Sequence, residues 1–267
     1  MRLRVASAVI WRRGEGGAAV PGRWQGRGPR ALRAALVSVL LVGVVVPGAQ
    51  AAAEPTPAAP TAKVAWLARV TSPVDLRSGA SDSSSLMEMI QPTTQWGGDT
   101  QLLVKDATKT AGEWWVDVRV QGRPNGRHGW IRADKVSLSK TGYRIEVRRS
   151  TKRLTLLKGG RTVRSIKVVV GAPETPTPAG FFSIADKLEL TNATNFLGSW
   201  VLPLTGYSDV LQTFDGGIGQ VALHGRGGAS LLQPVGTAAS HGCVRIENSQ
   251  IAKIAAAVPT GTPVVII

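Results

Sequence analysis

One stretch beyond residue 63 carries a clear helical signal. Ile251, Ile254, Ala255 and Val258 recur at i, i+3, i+4 and i+7, with Asn248 placed to cap the start and Pro259 and Gly261 to end it. The rest of that region is written as short apolar or alternating runs separated by turn residues, which predicts a mainly β protein. Two units are expected in series. Residues 64–139 hold five of the six tryptophans that follow residue 51: Trp66, Trp96, Trp114, Trp115 and Trp130. Their alternation, with Trp115, Asp117 and Arg119 set against Trp114, Val116, Val118 and Val120, and the breaks at Ser78-Gly79, Gly97-Gly98 and Pro124-Asn125-Gly126, predict a small β-barrel. Residues 142–267 carry candidate strands at Tyr143–Val147, Leu154–Leu157, Val163–Val170, Phe181–Ala185, Trp200–Leu204, Val221–His224 and Pro263–Ile267.

The first 51 residues read as an export signal. Eight arginines and one acid, Glu15, occupy 1–33, and a 13-residue uncharged run, Ala34–Val46, precedes the small-x-small signal Ala49-Gln50-Ala51. The run is short against the roughly 20 residues of a spanning helix, so cleavage near Ala51 is expected, with an uncleaved anchor as the competing reading. No cysteine stands at that site, which removes lipoprotein anchoring. Residues 52–63 form a Pro/Ala linker unable to bury a core.

Charge follows from this division. The formal +15 of the whole chain suggests nucleic acid, a membrane surface or an acidic polymer as partner. Without residues 1–51 the balance is 24 basic to 16 acidic residues, or +8, so nearly half of the basic excess belongs to the N-terminal segment and no nucleic acid is expected as partner. Membrane contact is expected only through the N-terminal segment if it is uncleaved.

The single cysteine, Cys243, excludes an intrachain disulfide framework, Cys₄ and Cys₂His₂ zinc sites, and a CxxC redox pair. Two of the three histidines lie within 20 residues of it, in Leu223-His224-Gly225-Arg226 and Ser240-His241-Gly242-Cys243-Val244-Arg245. A lone exported thiol risks oxidation, so its placement beside histidine and glycine points to use as a nucleophile. An imidazole can take the thiol proton and return it, and glycines free backbone N–H groups for an oxyanion. Two other readings stand beside this one: a buried structural thiol, and a catalytic zinc held by His224, His241 and Cys243 with Glu247 as the one nearby acid.

These motifs resemble the signature of the YkuD-like L,D-transpeptidase catalytic domain. Further landmarks are Ile145-Glu146-Val147 with Leu154-Thr155-Leu156, Val170-Gly171 before Thr175-Pro176-Thr177-Pro178-Ala179-Gly180-Phe181, and the ending Val258–Ile266. The resemblance spans about 143–267, with no landmark between Lys187 and Gly219, where the family carries variable loops bordering its cleft. Separately, Val74–Gly79 and Gly129-Trp130-Ile131-Arg132 resemble a bacterial SH3-like wall-associated module.

The first resemblance implies a β-sandwich-like domain that acts on peptidoglycan peptide stems in the cell wall, outside the cytoplasmic membrane. The stem is cut after its third residue, terminal D-alanine leaves, and the acyl group passes to another stem as a 3→3 crosslink, without metal or organic cofactor. Carbapenem-type β-lactams are the implied covalent inhibitors. In this reading Cys243 is the nucleophile, His224 the proton acceptor and donor, and the Gly225 carbonyl the group that orients the imidazole. The Cys243 N–H, with Gly242 or a neighbour, would form the oxyanion hole. His241 competes for the base role or else shapes the site, Arg245 is expected to meet a stem carboxylate, and Ser240 to close a turn or touch substrate. Trp200 is expected in the core and His128 on the surface of the first domain. Water as acceptor would make the protein an L,D-carboxypeptidase, and an inert second domain would leave a wall-binding protein.

Overall fold

The computed structural model describes residues 56–214 and 216–267. The expected export signal and the start of the expected linker, residues 52–55, lie outside them. The described residues belong to one compact unit containing two separate hydrophobic cores.

The first core is built on seven strands: β1 (Ala65–Val70), β2 (Val74–Arg77), β3 (Leu86–Ile90), β4 (Gln101–Thr110), β5 (Glu113–Arg119), β6 (His128–Arg132) and β7 (Val136–Thr141). They form one antiparallel sheet ordered β3-β2-β6-β5-β4-β1-β7. The expected barrel is corrected here: the hydrogen-bonded ladder ends on β3 and β7 and does not close. The alternation read from the sequence places Val116 and Val118 in the core with Val104, Ala68 and Ile131. Asp117, on the opposite face of β5, is buried and pairs with Lys105 at 3.2 Å and His128 at 2.8 Å. His128 is exposed, as expected of a surface residue, and its Nδ1 also lies within hydrogen-bonding distance of the buried Asp117 carboxylate.

The second core lies between two sheets. One contains β8 (Tyr143–Arg148), β9 (Arg153–Lys158), β10 (Arg161–Lys167), β12 (Gly180–Ser183) and β18 (Pro263–Ile266), ordered β10-β9-β8-β18-β12. The other contains β13 (Leu188–Glu189), β14 (Trp200–Tyr207), β15 (Gln220–His224) and β17 (Val244–Arg245), in that order. A short parallel pair, β11 (Val170–Gly171) and β16 (Ala238–Ser240), adjoins them. The expected strand Val163–Val170 is thus two elements, broken at Val168-Val169. Helix α1 (Asn248–Ala257) buries Ile251, Ile254 and Ala255, three of the four residues that marked it in the sequence. Phe182, 1% exposed, packs between the sheets; its truncation to alanine would cost about 3–5 kcal/mol.

The two cores are joined through β1, which is apolar on both faces. Trp66, Ala68 and Val70 face the first core, whereas Ala65 and Leu67 meet Leu103 of β4 and Phe181 of β12. Covering the outer face of β1 removes its apolar side chains from water and ties the two cores into one unit.

Candidate active site

Strands β15 and β17 run parallel as neighbours, with Leu223 opposite Val244 and His224 opposite Arg245. This ladder brings together two motifs about 20 residues apart in sequence. Cys243 immediately precedes β17, and His224 ends β15. Cys243, His224, His241 and Arg245 line one cavity of about 880 Å³, whose walls also include Leu188, Phe196 and Phe214. The segment between Lys187 and Gly219, which had no sequence landmark, thus supplies much of the cleft.

His224 is 1% exposed, and its Nδ1 lies 2.8 Å from the Gly225 carbonyl oxygen. A carbonyl only accepts, so Nδ1 carries the proton and Nε2 is the basic nitrogen. Burial lowers the imidazole pKa to about 4; the Gly225 and Leu197 carbonyls oppose this shift, while the Arg245 charge adds to it. Burial pushes the Cys243 thiol up, against the stabilising effects of a hydrogen bond with the Ala222 backbone and of Arg245. The resting pair is therefore neutral imidazole and neutral thiol. Among the described residues no hydrogen bond joins the thiol to either histidine.

The turn before the thiol has a definite construction. Ser240 Oγ donates to the Cys243 carbonyl at 2.6 Å and accepts from the Gly242 N–H at 3.2 Å. Ser240 is buried and closes the turn, and it occupies the Gly242 N–H that had been considered for an oxyanion. Gly242 has φ +116°, a conformation that side-chain-bearing residues avoid. His241 is exposed and stacks on Phe214, ring centres 4.8 Å apart.

Arg245 is 2% exposed, donates to Gln233 Oε1 and lies over the Phe196 ring at 4.7 Å. Its Nε has no partner among the described residues. Arg226 is structural: it pairs with Glu247 and holds the carbonyls of Ser230, Leu231 and Gln233.

Asn248 corrects another expectation. It is the first residue of α1 rather than a cap, and its side chain ties down the segment after His224. Its Oδ1 accepts from the Ser199 and Arg226 N–H groups, and its Nδ2 donates to the Arg226 carbonyl at 2.8 Å. Trp200 packs against the second core and does not line the cleft. His224, His241 and Cys243 do not form a metal-ligand cluster, and no other group of three His, Cys, Asp or Glu side chains among the described residues does.

A thiol and a Gly225-oriented imidazole facing one apolar cleft are equipped for acyl transfer through a covalent intermediate. Residues 142–266 match the YkuD family model, the L,D-transpeptidase catalytic domain. Two curated relatives carry the name putative L,D-transpeptidase YkuD. The Bacillus subtilis protein is 29% identical over 124 residues, covering 46% of this chain and 65% of its own length. The Bacillus licheniformis protein is 30% identical over 122 residues, covering 46% and 64%. The chain therefore spans just under two thirds of the length of these relatives. Among solved structures, the catalytic domain of an E. faecium L,D-transpeptidase is 24% identical, with 47% of this chain and 96% of that one covered and a TM-score of 0.33.

Proposed function

We propose that the protein is an exported peptidoglycan L,D-transpeptidase that joins peptide stems through a thioester on Cys243. The observation that carries this reading is the convergence of the chain's one thiol and a buried, Nδ1-protonated His224 on a single cleft within the YkuD segment.

In this mechanism the stem's third-residue carbonyl sits over Cys243. The sulfur forms the C–S bond as its proton passes to His224 Nε2. Negative charge gathers on the carbonyl oxygen. With the Gly242 N–H engaged by Ser240, the Cys243 N–H is the group assigned to meet it. Collapse breaks the amide bond, and the leaving D-alanine nitrogen takes the proton from His224. The side-chain amine of a second stem then attacks the thioester, loses a proton to His224 and leaves a free thiol. Gly225 keeps the imidazole in one tautomer throughout, the role a carboxylate has in other triads. Arg245, beside both reacting groups, offers a positive charge to a stem carboxylate. A carbapenem-type β-lactam would be opened by the same thiolate and remain as an ester of sulfur.

Mass spectrometry of muropeptides after incubation with the chain beginning at Ala52 tests the proposal. Crosslinked dimers formed by wild type and absent with Cys243→Ala support it. Shortened monomers alone would identify a carboxypeptidase, and an unchanged profile would sink the enzyme reading.

A further inference from the structure

A turn of the first domain reaches the cleft of the second. Thr93 and Asp99 form an isolated bridge, and within the enclosed tip the Thr94 N–H donates to the Gly98 carbonyl at 2.8 Å. Trp96 stands at this tip and lines the same cavity as Cys243. The tip is fixed to the second domain through Asp186, a carboxylate 4% exposed and without a cationic partner among the described residues. Thr94 Oγ1 donates to Asp186 Oδ2, while Asp186 Oδ1 accepts from the Lys187 N–H at 2.6 Å. Gly98 permits this approach, because a Cβ there would collide with the Asp186 carboxylate. The Thr94 hydrogen bond and the close approach of Gly98 hold the tip against Asp186.

Trp96 is one of the largest apolar surfaces the chain could offer a ligand, yet it lies outside the first domain's core. Among the described residues, the lining of the cavity it shares with Leu188 and Leu190 is mostly apolar and includes no Asp or Glu. Burying sugar hydroxyls demands paired polar partners, whereas methyl and methylene groups demand only hydrocarbon. We propose that Trp96 is a substrate-binding residue, its indole packing on the methyl and methylene groups of the peptide stem, so that the first domain forms part of the binding site. This inference rests on the stem-directed reading of the Cys243 cleft.

The test is a calorimetric titration of a stem tetrapeptide into the Cys243→Ala chain, which isolates binding from chemistry. Adding Trp96→Ala should weaken Kd about tenfold, and Trp96→Phe should recover it to within about threefold. A second measurement uses the same chain labelled with 5-fluorotryptophan. The ¹⁹F signal of Trp96, identified by its loss in Trp96→Phe, should shift as the tetrapeptide binds. An unchanged Kd with Trp96→Ala, or an unmoved ¹⁹F signal at saturation, would overturn the proposal. An effect seen only with a disaccharide-linked stem would also overturn it, by assigning the indole to glycan. If wild type forms no thioester, the catalytic reading falls on its own evidence, while these titrations still decide the role of Trp96.

Discussion

Asn125 pairs with the backbone of Tyr207 as a neighbouring strand would. Its Nδ2 donates to the Tyr207 carbonyl at 2.7 Å, and its Oδ1 accepts from the Tyr207 N–H at 2.8 Å. Arg123 extends the clamp by donating to the carbonyls of Ser208 and Leu211 at 2.8 and 2.9 Å. Both residues belong to the first domain, and the segment they hold leads to Phe214, which stacks on His241 in the cleft.

Asn125→Ala should therefore cost about 1–3 kcal/mol, because Tyr207 is buried and would keep unpaired backbone groups. Urea unfolding measures that loss. Hydrogen exchange should show faster opening across residues 208–214 and 216–219 while α1 is unaffected. Unchanged protection in that loop would mean the clamp does not govern it.

His224→Gln should slow β-lactam acylation of Cys243 by about 10²–10⁴-fold, the usual contribution of a positioned general base. His241→Gln should slow it by less than about tenfold. The time course of the adduct in intact-protein mass spectra gives both values, and the reverse ranking would move the base role to His241.

Stability should fall with acid in a way that reports on His224. Its folded pKa of about 4 lies below the ordinary 6.5, so between these values the unfolded chain binds the proton more readily. The contribution is fully present above about pH 6.5 and lost by about pH 4, amounting to about 3 kcal/mol. Between pH 7 and 4, wild type should lose more unfolding free energy than His224→Gln; equal losses would contradict the burial argument.

Gly225→Ala should disable the site without touching a reacting group. A Cβ at this position would run into Asn248 Oδ1, displacing the carbonyl that holds the His224 tautomer. Asn248→Ala should act on the same segment from the other side by removing three hydrogen bonds, each worth about 1 kcal/mol. Acylation rates for both variants, compared with their melting curves, separate lost alignment from lost folding.

The chemistry was legible in the sequence because its groups are marked by residue type within short motifs: a lone thiol, two His-Gly pairs and the arginine that follows. The i, i+3, i+4 spacing of α1 was legible for a similar reason, since it reports one buried face; the alternation of β5 marked Val116 and Val118 as core but not the burial of Trp115, Asp117 and Arg119 opposite them. What could not be read was contact across the domain boundary. Trp96 looked like any other tryptophan of a β-rich module, and Pro124-Asn125-Gly126 looked like an ordinary turn. Their reach into the second domain depends on how β1 docks its outer face, which no local pattern encodes. Asn248 was misread for a related reason. Its position before an apolar repeat matches a cap, while its hydrogen bonds go to a segment 22 residues upstream. The break between β10 and β11 was hidden because Val168, Val169 and Val170 continue the apolar run through it.

The parallel match of His224 with Arg245 makes assembly of the site a question of register. Sliding β17 by one residue would turn Val244 out of the core and Arg245 into it, and the thiol would leave the histidine's side of the sheet. Intermediate alignments do not exist for a two-residue strand, so a molecule carries either the whole site or none of it. A covalent probe of Cys243 would consequently count correctly paired chains in a refolded sample, making the reactive fraction a measure of folding fidelity as well as of activity.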